Sequence, residues 1–121
     1  MKLVRTTIND DEWHIYLVPQ SDMRVIKDDD TDPAATTDTD TKEIHIVEEE
    51  FEYSILAHEV FHAYAHYLFL WDTELSIKDY EEVMANLFAY KGKAMQKKTD
   101  EIYAALLKLR SQGNTEEELT I

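Results

Sequence analysis

The sequence predicts an α+β fold: a small antiparallel or mixed sheet of about three strands, followed by a buried helix and one or two further helices. Three observations carry this. Residues 1–50 hold short β-branched and aromatic stretches separated by polar turns, whereas 51 to about 110 has helical patterning. Strand signals and helix signals are therefore segregated rather than alternating, which favours α+β over a parallel α/β sheet. The stretch SILAHEVFHAYAHYLFLW, residues 54–71, is apolar on nearly every side, which places a helix inside the domain rather than on its surface. A chain of 121 residues supports one modest core, so 1–121 is read as a single domain.

The elements follow in order. EWHIYLVP (12–19) is rich in β-branched and aromatic residues and stops at Pro19. MRVIK (23–27) follows a short QSD turn and forms a hairpin with it. Residues 28–42, DDDTDPAATTDTDTK, have almost no large apolar side chain; burial cannot order them, and they are expected as an exposed acidic loop. EIHIV (43–47) alternates, with Ile44 and Ile46 on one face and His45 on the other, and is the third strand. His14 and His45, lone histidines on strands, are expected to be structural or solvated. Helix one runs from about 52 to 70, after a carboxylate cluster suited to the positive end of the helix dipole. DTELS (72–76) breaks it. Ser76 followed by Asp79 resembles a capping box, opening helix two at about 77–98. Residues 99 to about 113 form a third helix or a continuation. The tail, 114–121, is expected to fray.

Composition excludes several functions. The formal net charge is −14, and a phosphate-binding surface needs a basic patch. The lysine cluster KGKAMQKK (91–98) reads as the solvated face of a helix; no nucleic-acid partner is expected. No apolar run reaches the length of a membrane span, and the first residues carry no apolar leader. There is no cysteine, which removes disulfides, thiolate metal sites and thiol nucleophiles together and fits a reducing, cytoplasmic setting.

The chemistry lies in helix one. His58, Glu59 and His62 spell H-E-x-x-H. Residues four apart share a helix face, so two imidazole nitrogens can meet one metal ion, with Glu59 about 100° round, where a base for metal-bound water should stand. A catalytic zinc usually takes a third protein ligand. His66 extends the stripe but lies about 12 Å along the axis from His58, at 1.5 Å per residue, so all three cannot reach one ion. Leu68 stands where a third histidine would fall in a longer metzincin-type motif. A carboxylate from helix two remains. Glu82 shares a face with Ala85, Asn86 and Ala89, small residues that let helices approach closely, and is favoured over Glu81. Asp72 and Glu74 would need a sharp fold-back.

H-E-x-x-H with a glutamate twenty residues after its second histidine has the spacing of thermolysin-like gluzincins, and Glu82-Val83-Met84-Ala85-Asn86-Leu87-Phe88-Ala89 resembles the E-x-x-A-N-x-F-A signature of ImmA/IrrE-type metallopeptidases. The resemblance covers about residues 43–92. It implies a minimal zincin fold with EIHIV as the edge strand above the cleft. It also implies Zn²⁺ held by His58, His62 and Glu82, Glu59 as general base, and a protein or peptide substrate. Tyr64, Tyr67, Tyr80 and His66 are candidates by type for stabilising an oxyanion. Two other readings compete: a zinc-stabilised interaction module without turnover, and a zinc amidohydrolase acting on a non-peptide amide. An intact Glu59 disfavours the first, because a purely structural site needs no base. The motif fixes the activated water and not the substrate, and neither substrate identity nor oligomeric state is legible.

Overall fold

The computed structural model describes residues 2–22, 34–69, 76–112 and 117–121. The chain is α+β, as expected, but the sheet is larger, with five strands among the described residues: β1 (Lys2–Ile8), β2 (Asp11–Val18), β3 (Ala35–Asp38), β4 (Glu43–Val47) and β5 (Glu117–Thr120), in the order β3-β4-β2-β1-β5. The described residues also form two helices, α1 (Tyr53–Phe69) and α2 (Ile77–Ser111), and a short 3₁₀ turn at Glu48–Glu50. No described helix is long and apolar enough to cross a membrane.

β1 and β2 form the hairpin of the fold, paired antiparallel from Ile8↔Asp11 to Lys2↔Leu17. The two residues between them, Asn9 and Asp10, have φ of 50° and 68°. Positive φ at both positions belongs to a type I′ turn, whose twist matches the flanking strands. This hairpin replaces the expected one, whose second strand (23–27) lies outside the described residues. β2 carries β1 on one edge and β4, parallel, on the other, with Ile15 beside Ile44.

Two segments expected to lack structure are strands. Ala35–Asp38, inside the predicted acidic loop, pairs antiparallel with β4, so EIHIV is an interior strand and β3 is the edge. The β3–β4 turn is stitched by Asp38, whose Oδ1 accepts from the Asp40 and Thr41 amides at 2.9 and 3.2 Å, an Asx-type turn. Residues 28–33 of that loop lie outside the described set. At the other end the described part of the tail is a strand: β5 adds in parallel to β1, and the Ile121 amide donates to the Arg5 carbonyl at 2.9 Å; residues 114–116 lie outside the described set.

The core occupies one face of the sheet. Val4, Ile8, Trp13, Ile15, Leu17, Ile44 and Ile46 meet Leu56, Val60, Ala63 and Tyr64 of α1 and Leu87, Ile102, Leu106 and Leu109 of α2. α1 packs against β3 and α2, while α2 packs against β1 and β5. The helices therefore lie side by side over the sheet, and α1 is not enclosed between a sheet layer and a second helical layer. Its histidine side stays open: His58 and His62 are exposed. Burying two imidazoles without a full set of partners would cost more than the apolar contacts return.

α2 is one helix of 35 residues, about 52 Å long, and not two. Ser76 caps it, accepting from the Asp79 amide at 3.1 Å. Nothing between helices two and three as predicted is a strong breaker. Gly92 costs about 1 kcal/mol relative to alanine, and Thr99 bonds back to the Met95 carbonyl at 2.7 Å without interrupting the turn. The second half of α2 is anchored by Ile102, Leu106 and Leu109, all fully buried. Among the described side chains of the first half only Leu87 is, and Tyr80, Met84 and Phe88 are exposed.

Candidate functional site

The helical period carries His58, His62 and His66 along one stripe of α1, with Glu59 between that stripe and the core. His58 Nε2 and His62 Nε2 are 3.1 Å apart, and the ring centroids are separated by 4.7 Å at a steep interplanar angle of 75°. Tetrahedral zinc with Zn–N bonds of about 2.0–2.1 Å holds two nitrogens roughly 3.3 Å apart, so the pair fits as two ligands of one ion. Without an ion between them, the contact requires one nitrogen to donate and the other to accept.

Glu59 is placed differently from the histidines beside it. The His58 side chain is 68% exposed and the Glu59 side chain 8%. One carboxylate oxygen, Oε1, accepts from the Thr37 hydroxyl at 2.7 Å. The other, Oε2, lies 3.8 Å from His58 Nε2. β3 supplies Thr37 because the sheet register puts Ala35 opposite Ile46 and Thr37 opposite Ile44, on the face turned toward the helices.

These residues border a cavity of about 430 Å³ between β3 and α1, with His58, Glu59, His62 and His66 on the helix side and Thr36, Thr37 and Thr39 on the strand side. The cleft thus opens between the sheet edge and α1.

Three of the four predicted site residues meet there, and Glu82 does not. It is exposed on α2 and does not line the cavity, nor does Glu81. The small residues beside it, Ala85, Asn86 and Ala89, are exposed too, whereas Leu87 is the buried position of that stretch. The apolar stripe of α2 sets its orientation, and Glu82 falls on the opposite side. Among the described residues no group of three or more His, Cys, Asp or Glu is arranged to hold a metal ion. Asp72 and Glu74 lie outside the described residues.

Of the oxyanion candidates, His66 borders the cavity, Tyr64 is buried in the core and Tyr80 is exposed on α2 outside the cavity. The side chain of Tyr67 lies outside what is described. Burial, and secondarily the Glu101 carboxylate, raise the pKa of Tyr64 above its ordinary value. His14 and His45 sit on the sheet face away from the helices: His45 stacks on Tyr16 at 4.9 Å and His14 lies 3.5 Å from Glu12. Thr37 escaped sequence reading. The only signal for it was the run of β-branched residues Thr36, Thr37 and Thr39 within an otherwise acidic, polar segment.

No family model, no curated protein and no solved structure matches the chain.

Proposed function

We propose that the chain is a zinc-dependent metallopeptidase of the ImmA/IrrE-like gluzincin type, acting on a protein or peptide in the cytoplasm. The observation that carries the reading is the convergence of His58 Nε2 and His62 Nε2 at 3.1 Å beside a buried, hydrogen-bonded Glu59 carboxylate, in a cleft bordered by a sheet edge. A buried carboxylate next to two exposed imidazoles is a costly arrangement for stability alone. It is what a metal-activated water and its base require.

His58 and His62 would hold the metal, with Glu82 as third ligand on the strength of the E-x-x-A-N-x-F-A resemblance. Glu82 stands on α2 outside the cleft in this structure, and the metal content of Glu82→Ala tests its assignment. Bound zinc would supply a Lewis acid that acidifies water and polarises a carbonyl. Glu59 takes the proton on Oε2 and returns it to the leaving amine. His66, in the same cleft, donates to the oxygen on which negative charge develops. The open histidine side of α1 leaves room for the substrate next to β3.

The test is metal content together with cleavage of a quenched-fluorescent peptide library, for the wild-type chain and His62→Ala. One zinc per chain with cleavage, both lost in His62→Ala, supports the proposal. Full zinc content in His62→Ala refutes the ligand assignment. Zinc retained by the wild type without cleavage of any peptide favours the interaction module.

A further inference from the structure

We propose that Thr37 is a positioning residue for Glu59: its hydroxyl ties one carboxylate oxygen to the edge strand and leaves the other as the proton acceptor. The inference rests on the peptidase reading above and adds a residue that the H-E-x-x-H pattern does not contain.

The geometry is specific. Thr37 Oγ1 donates to Glu59 Oε1 at 2.7 Å, a full-strength hydroxyl hydrogen-bond length. The same hydroxyl is 3.4 Å from the Glu59 main-chain carbonyl, too far to compete for its single proton. Oε1 is therefore engaged, and Oε2 is the oxygen turned toward the histidine pair, 3.8 Å from His58 Nε2. The terminal torsion of a glutamate is broad and nearly two-fold. Without an anchor the two oxygens exchange roles and the carboxylate plane drifts. An acceptor for a proton must hold its line to the water within a few tenths of an ångström to be effective.

Thr37 is suited to this by its type and by its place. A β-branched side chain has few χ1 options on a strand, so its hydroxyl has a fixed direction. The strand is fixed in turn by pairing with β4, Thr37 opposite Ile44. The base on α1 is thus referenced to the sheet, not only to its own helix.

Two substitutions separate the donor from the shape. Thr37→Val keeps the β-branched form and removes the hydroxyl; Thr37→Ser keeps the hydroxyl. Zinc content, kcat and KM are measured on the best-cleaved library peptide. A hydrogen bond to a charged group corresponds to roughly a ten- to hundred-fold effect, so Thr37→Val should lower kcat by about that factor. Zinc stoichiometry should stay intact, and KM should stay within about three-fold, because only the transition-state interaction is lost. Thr37→Ser should recover kcat to within a few-fold of wild type. A second readout needs no activity: urea unfolding of the metal-free protein across the cycle Thr37→Val, Glu59→Ala and the double variant. The midpoint shift caused by Thr37→Val should vanish in the Glu59→Ala background.

Wild-type kcat in Thr37→Val, equal impairment of Thr37→Ser and Thr37→Val, or additive midpoint shifts in the cycle would each overturn the role of Thr37 while leaving the peptidase reading standing. A wild-type chain that neither binds zinc nor cleaves any peptide removes the peptidase reading, and the positioning role with it.

Discussion

Replacing Glu59 by glutamine should separate stability from activity. Glutamine keeps the length of the side chain and an acceptor oxygen for Thr37, which donates at 2.7 Å. It loses the charge that strengthens that bond, and bonds to an ionised partner are roughly twice as strong as neutral ones. It also removes a charge from a side chain only 8% exposed, which relieves desolvation. The two effects oppose each other, so Glu59→Gln should unfold within about 1 kcal/mol of wild type, on either side. The rate has no such compensation. A positioned base contributes about 10²–10⁴-fold, or about 3–5.5 kcal/mol of barrier at 1.36 kcal/mol per decade. The assay is urea unfolding followed by fluorescence, for which the fully buried Trp13 is a reporter, alongside kcat/KM and zinc content. Near wild-type hydrolysis in Glu59→Gln would refute the mechanism. A loss of more than about 2 kcal/mol of stability would show that the carboxylate is held by more than Thr37 and that its burial is structural.

Other outcomes follow from single contacts. Glu82→Ala should lose zinc and Glu81→Ala should keep it, while both exposed substitutions leave stability within about 0.5 kcal/mol; equal retention by metal analysis would remove Glu82 from the ligand set. Burial, then Glu101, raise the pKa of Tyr64 above its ordinary 10.0. The folded chain holds that proton more tightly than the unfolded chain. The stabilisation is therefore full below pH 10 and is lost as pH rises through the folded value, and Tyr64→Phe should flatten the alkaline limb of a stability-versus-pH curve. Ser76→Ala removes the acceptor of the Asp79 amide, 3.1 Å away, and should cost about 1 kcal/mol in a urea titration.

What was legible in the sequence divides by the reach of the signal. α1 and the cap at Ser76 are written in local periodicity and side-chain chemistry, and both are found. β2 and β4 announce themselves through alternating Ile and aromatic residues. β3 and β5, ATTD and EELT, have too little apolar content to read as strands; they are ordered by pairing with β4 and β1, which no local window contains. β1 had a signal that went unused, a two-residue Asn-Asp turn between β-branched runs. The H-E-x-x-H geometry was readable because one helix holds all of it. The Thr37 contact was not, since it joins two elements across the fold. The orientation of Glu82 is non-local too. Small neighbours permit close packing, but the larger apolar stripe of α2 decides which face turns inward.

The parallel pairing of β5 with β1, Lys2 beside Glu117, bears on how the chain reaches this structure. That contact closes a loop spanning nearly the whole described sequence, and its entropy must be lost before the pairing returns anything. The hairpin β1–β2 and the helices can form from near neighbours, but β5 can add only once β1 already lies in a sheet. β5 also carries little apolar surface of its own; only Leu119 packs against the core. The last strand should therefore be the last to dock and the first to open, with amide protons of residues 117–121 exchanging well before those of β2 and β4. Refolding should show the sheet interior protected first and this edge last.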